Sequence, residues 1–307
     1  MTLQALILIL MKSSIFLNVF AIGLEASTSE AAYLFRRPGE LVRAFFAVNV
    51  LMPLFAVILA LVLNLNPAVE IALVALAISP VPPLIPRKVA KATSSGSYAI
   101  GLLIALGVLA VVFVPIALEI LEQVFKVPLR MSSGSIAALV FMTILLPIGF
   151  GVAVRELLPN LAERLARPVS QIAGIGLLAC LVVILISAAP AIWTLIGNGT
   201  LVALAAFVLV GAAIGHFLGG PEPENRAALA ISTASRHPGI AAAVAAANFP
   251  DQKLVTAAVL LYLLVNALVL TPYQSWIKRR LANAENQANL RAEAAKVAIT
   301  KDASAGN

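Results

Sequence analysis

The chain has 307 residues, 61% of them hydrophobic and only 11% charged, with a net charge of +7 and a mean hydropathy of +1.01. Soluble domains run at roughly 45–50% apolar and about 25% charged. No soluble fold hides this much apolar surface, so the composition excludes a soluble enzyme or cytosolic binding module and requires lipid as the solvent.

The N-terminal stretch MTLQALILILMKSSIFLNVFAIGL has no basic segment before its apolar run and no small-residue cleavage site after it, so it reads as a retained first span. A bilayer core takes roughly 20 apolar residues per helix. By that measure the chain divides into nine expected spans, 4–25, 43–64, 68–92, 98–121, 134–154, 170–192, 198–219, 226–248 and 254–277. Polar stretches such as STSEAAYLFRRPGE, RELLPNLAERLARP and GGPEPENR separate them. The expected fold is therefore all-α and polytopic. One transmembrane domain covers 1–280, with halves near 1–123 and 134–280, and a polar, Ala-rich tail with helical character covers 281–307.

The third span carries Pro80, Pro82, Pro83 and Pro86, and the eighth carries Pro238-Gly239. Proline removes a backbone donor and clashes with the carbonyl four residues back, so neither helix runs through. Unpaired backbone groups are costly in hydrocarbon, and broken helices survive only against protein or a water-filled cavity. Two interrupted helices in corresponding halves of a chain are the sequence pointer to a transporter's binding site.

The cations sort by loop. Arg36, Arg37, Arg43, Arg87, Lys88, Lys91, Arg155, Arg164, Arg167, Arg226, Lys278, Arg279, Arg280, Arg291, Lys296 and Lys301 fall on one side, against Lys126, Arg130 and Lys253 on the other. The positive-inside rule then places the N-terminus outside and the C-terminus in the cytoplasm. The basic charge is thus a topology signal, and nucleic acid is not an expected partner.

Few residues offer chemistry. There is no GxGxxG, Walker loop, CxxC or HExxH, and the single Cys180 lies in the apolar run LLACLVVILI. His216 reads as a packed or interfacial histidine bonded to a backbone group. All fourteen acids fall in loops, tails or span ends, although a hard cation wants oxygen ligands and a proton relay an ionisable one. The polar groups near the midplane are Asn18, Asn49, Ser79, Thr143, Ser232, Thr233, Ser235, Arg236, His237 and Asn266. For each Ser and Thr the plain alternative is a bond to its own helix or a neighbouring one. Arg236 differs, because a buried Arg costs several kcal/mol unless paired or hydrated. The apolar RAALAI before it argues against snorkelling to the surface. For Arg87 and Lys88 the alternative is a plain positive-inside role.

The stretch GHFLGGPEPENRAALAISTASRHPGIAAAVAAANF, together with SPVPPLIPRKVAKATSSGSYAI, NVLMPL and FAIGLE, resembles the bile acid:sodium symporter family and its bacterial relatives. That resemblance implies inverted repeats forming a panel and a core, with two broken helices crossing near the midplane and sodium ions behind the crossing. It implies a secondary transporter of small organic anions in a bacterial inner membrane, and no enzyme. Setting Gly239 on the family's glycine puts Ser232 at the position of its sodium-binding Glu, Arg236 at that of its Gln and His237 at that of its Asn. Pro80 marks the first break, with Arg87-Lys88 near the family's Ser-Asn pair. Fixed cations would thus replace both the ions and their ligands, which speaks against sodium coupling and leaves no cofactor expected. Two other readings stay open at this point: a non-transporting receptor or scaffold on a degenerate carrier fold, and an auxin-efflux-like carrier.

Overall fold

Helices form wherever the apolar runs are free of proline clusters, and they stop where proline or a capping side chain intervenes. The structure, a computed structural model, describes residues 3–90, 96–126 and 130–305; the side chains of residues 3–5, Lys88, Ala90, Ser133, Glu285 and 288–305 lie outside that description. The first half comprises α1 (Leu3–Glu25), α2 (Thr28–Ala31), α3 (Pro38–Phe45), α4 (Met52–Val62), α5 (Pro67–Ile78), α6 (Ile85–Ala90) and α7 (Gly96–Phe125). The second comprises α8 (Ser133–Val140), α9 (Leu146–Leu157), α10 (Pro159–Leu195), α11 (Thr200–Leu218), α12 (Pro223–Ala234), α13 (Pro238–Asn248) and α14 (Val255–Ala305). No strand occurs among the described residues.

Among the described residues seven helical stretches are long and apolar enough to cross a membrane: Leu6–Glu25, Pro38–Val62, Gly96–Phe125, Gly134–Leu157, Pro159–Leu195, Thr200–Leu218 and Val255–Ala284. The third and eighth expected spans are instead pairs of short helices, α5 with α6 and α12 with α13. Other boundaries differ from the sequence reading. RELLPNLAERLARP, expected as a loop, is mostly the start of α10, because Pro159 opens a helix at its first turn and Ala, Glu, Leu and Arg continue it. The last helix runs on past 277 to Ala305, as the helical character of the tail suggested. Two π turns, Phe46–Leu51 between α3 and α4 and Phe141–Leu145 between α8 and α9, had no counterpart in that reading.

The helices pack as two bodies. In one, α1 lies along α9 and α10. There Gly23 and Gly151 let two backbones touch: a Cβ on Gly23 would sit 2.8 Å from the Gly151 Cα. The other body joins α3–α7 and α11–α14 around one large apolar cluster that includes Val48, Leu73, Phe207 and Tyr262, and the end of α10 reaches it through Ile192 and Leu195. A second cluster, with Val19 and Ile144 from one body and Ile78, Leu103 and Ile240 from the other, fills the boundary between them. Within the larger body α11 presents Gly211, Gly215 and Gly219 to α12, and a Cβ on Gly215 would stand 2.5 Å from the Ala230 Cα. Small residues in register permit such close contact in a membrane, where burial against lipid supplies no drive for helices to associate.

Candidate functional site

Each interruption follows from a residue that precedes proline. Ser79, before Pro80, ends α5 with φ −70° and ψ 147°. His237, before Pro238, caps α13 with φ −76° and ψ 99°. Both are extended, as the steric demand of the following ring requires. The two breaks meet: the His237 N–H donates to the Pro80 carbonyl at 3.0 Å, pairing two backbone groups that neither helix could satisfy.

Arg236 sits in the second break and is 1% exposed. Its Nη1 donates to the Ser79 carbonyl at 3.3 Å and its Nη2 to the Val48 carbonyl at 2.7 Å. One guanidinium therefore ties the second break to the first and to the π turn. The Val48 carbonyl is free because of Pro53. In a π turn its partner would be the N–H five residues on, and proline has none. Among the described residues no carboxylate forms an ion pair with Arg236, so its charge is met by carbonyl dipoles.

The helix opposite holds the same break by its backbone. The Tyr262 hydroxyl accepts from the Arg236 N–H at 2.8 Å and donates to the Ala234 carbonyl at 2.9 Å. The Asn266 amide donates to that carbonyl as well, at 2.9 Å. Tyr262 and Asn266 are one turn apart on α14 and share a face. The Nδ1 of His237 accepts from the Ile240 N–H at 3.2 Å, so the neutral ring carries its proton on Nε2. That Nε2, the Arg236 Nε, the Asn49 Nδ2 and the hydroxyls of Ser232 and Ser235 are buried without a partner. The break is thus rich in donors that still seek an acceptor.

The structure therefore gathers Ser79, Pro80, Ser232, Ser235, Arg236, His237 and Asn266 about one crossing, with Asn49 on the π turn whose carbonyl Arg236 holds. Gly239 opens α13 there, where a Cβ would meet the His237 ring at 3.3 Å. Thr233 lies beside them, but its hydroxyl is spent on the Leu229 carbonyl of its own helix at 2.8 Å. Asn18 and Arg87 form a separate pair: the Arg87 Nη1 donates to the Asn18 Oδ1 at 2.7 Å across the boundary between the two bodies, and the Asn18 amide donates to the Ser14 carbonyl. Thr143 is half-buried on the other π turn, and no hydrogen bond joins it to the crossing. The Lys88 side chain lies outside the described residues. His216 bonds a side chain, the Tyr273 hydroxyl at 2.9 Å, and not the backbone group expected.

Two contributors escaped the sequence reading. Tyr262 was legible as a polar tip four residues before Asn266, and the Val48 carbonyl as the group five residues ahead of Pro53.

The model of the Sodium Bile acid symporter family matches residues 13–194, more than half of the chain. The chain belongs to this family. Its members are transporters rather than enzymes, and together with the apolar helices this makes the protein an integral membrane protein of the bile acid:sodium symporter type. No curated protein matches the chain. The matched region takes in the first break and ends one residue before the end of α10, so the stretch 215–249, which seemed most family-like in the sequence, lies beyond it.

Proposed function

We propose that the chain is a secondary transporter for a small organic anion, that it works by alternating access as the larger body rocks against the smaller, and that it does so without sodium. The observation that carries this reading is the Arg236 guanidinium, bound to carbonyl oxygens from two other elements inside the crossing. A tethered cation there takes over the charge that bound sodium supplies in sodium-coupled relatives, and carbonyls already engaged by a guanidinium are not free for an ion. The N-terminus of α13 and the unpartnered donors beside it favour a carboxylate or sulfonate.

The loop cations orient the chain in a bacterial inner membrane with the N-terminus outside and the C-terminus in the cytoplasm. Without sodium, uptake of an anion opposes an inside-negative potential by about 2.3 kcal/mol per charge per 100 mV. The transporter then exports, exchanges, or moves a proton with its substrate through His237. Flux of a panel of organic anions into proteoliposomes, with and without a sodium gradient, tests this. Equal rates are expected in the two conditions, and a steep dependence on sodium would sink the proposal.

A further inference from the structure

Away from the crossing, a groove of about 300 Å³ runs between α11 and α14. Its walls are aliphatic, from Val208, Leu209, Ala212, Ala213, Val269 and Leu270. Leu209 and Phe217 beside it are 58% and 83% exposed on helices that face lipid. One end of the groove differs from the rest. The two helices run in the same direction, Phe207 packing on Tyr262 and, further along both, His216 on Tyr273 and Trp276. Where α11 stops at Leu218, α14 continues through Lys278, Arg279 and Arg280.

At that end His216 and Tyr273 share their hydrogen bond, His216 packs edge-on to Phe217 and Tyr273, and Trp276 stacks obliquely on both His216 and Tyr273. The Arg280 guanidinium lies over the Trp276 ring, 5.2 Å from its centroid. The charged groups that act on His216 are both cations, Arg226 and Arg280. Two acids, Glu222 and Glu224, precede Arg226; the Glu222 Oε2 accepts from the Asn225 amide, and the Arg226 Nε donates to the Gly220 carbonyl, leaving its terminal nitrogens for a ligand.

The geometry points to a binding site for an anionic phospholipid, with one acyl chain in the groove and the headgroup phosphate between Arg280 and Arg226. An apolar slot on a lipid-facing surface takes a hydrocarbon chain. An aromatic belt capped by a guanidinium marks the depth of the headgroups, and Arg226, Lys278, Arg279 and Arg280 at this end outnumber Glu222 and Glu224, which favours a net negative lipid over a zwitterionic one. The site also bears on the crossing, because α11 packs glycine-close on α12 and α14 carries Tyr262 and Asn266. A lipid wedged between them braces both supports of the second break.

The chain has two tryptophans, Trp193 and Trp276, so a Trp193→Phe protein reports from the site alone. In phosphatidylcholine vesicles, increasing fractions of phosphatidylglycerol with brominated acyl chains should quench Trp276 to half at a several-fold lower mole fraction than brominated phosphatidylcholine does. Arg280→Gln, which removes the headgroup cation, and Ala213→Phe, which fills the groove from its exposed side, should each abolish that difference. Identical quenching curves for the two lipids, or a preference that survives either substitution, would overturn the assignment. Sodium-dependent flux would leave it standing, since the site does not depend on how transport is driven.

Discussion

Two of the described guanidiniums, Arg236 and Arg87, are held in different ways. Arg236 is enclosed in the larger body, and both carbonyls that accept from it, Ser79 and Val48, belong to that same body. Arg87 reaches out of the larger body to Asn18 on α1 of the smaller one, and its Nη2 is buried without a partner. The charge of Glu25, at the end of α1, acts on it as well. Under the proposed alternating access, a bond inside one body persists while the bodies move, whereas a bond across the boundary breaks and forms again in each cycle. The proposal therefore gives the same side chain different work in the two places: Arg236 sets the shape of the crossing, and Arg87, only partly buried, sets which arrangement of the two bodies is favoured.

The largest effect expected from that contrast is on Arg236→Ala. It leaves the Val48 and Ser79 carbonyls without the guanidinium at a position only 1% exposed, and hydrogen bonds to a charged group are worth about 1.5–3 kcal/mol each. Thermal unfolding in nanodiscs should show a loss of about 2–4 kcal/mol, smaller than the two bonds together because the cost of burying the charge also disappears. Flux in proteoliposomes should fall more than tenfold, and sodium should not restore it, since no carboxylate is created at the crossing. Arg236→Lys should recover little of either, because an ammonium cannot span two carbonyls as the planar fork does. If Arg236→Ala melted and transported like the unaltered chain, the guanidinium would be a bystander.

Tyr262→Phe is the next test in size. It deletes one oxygen that serves both sides of the second break. Asn266 still covers the Ala234 carbonyl, so the main loss is the stranded Arg236 N–H, a cost of about 1–2 kcal/mol. The melting temperature should drop by less than in Arg236→Ala, and the double variant should lose less than the sum, because both act on one linked set of bonds. Strict additivity would mean that Tyr262 supports α14 and not the break.

How far the sequence revealed this site depends on which part of the chain produces each feature. The breaks were legible because proline acts locally: Pro80 and Pro238 impose extended conformations on Ser79 and His237 wherever they occur. Burial of Arg236 was legible too, since the apolar residues before it leave it no path to the surface. Its partners were not, because both are backbone carbonyls, which every residue carries and no composition marks. Only Pro53 hinted that one of them would be free. Thr143, on the other π turn, shows what depth alone leaves open. A threonine at midplane depth looks like a candidate, but depth along a helix says nothing about which neighbour its face meets. The start of α10 was missed for a similar reason, because polar helix formers after Pro159 read as a loop when hydropathy alone is followed.

The smallest expected effect concerns Asn18 and Arg87, and it is the one that separates a brace from a latch. Interhelical hydrogen bonds in membranes average well under 2 kcal/mol, so a double-mutant cycle of Asn18→Ala with Arg87→Ala should give a coupling of about 0.5–1.5 kcal/mol in unfolding experiments. Stability is the weaker readout here. A latch predicts that Asn18→Ala changes how often the two bodies part, which labelling of single cysteines placed along the boundary between α1 and α6 would register as a several-fold change in rate. Arg236→Ala should not shift that labelling pattern toward either side, since its bonds lie within one body. If instead Asn18→Ala left the labelling rates unchanged and lowered stability as much as Tyr262→Phe does, Arg87 would be a second brace, and the boundary between the bodies would have to slide elsewhere.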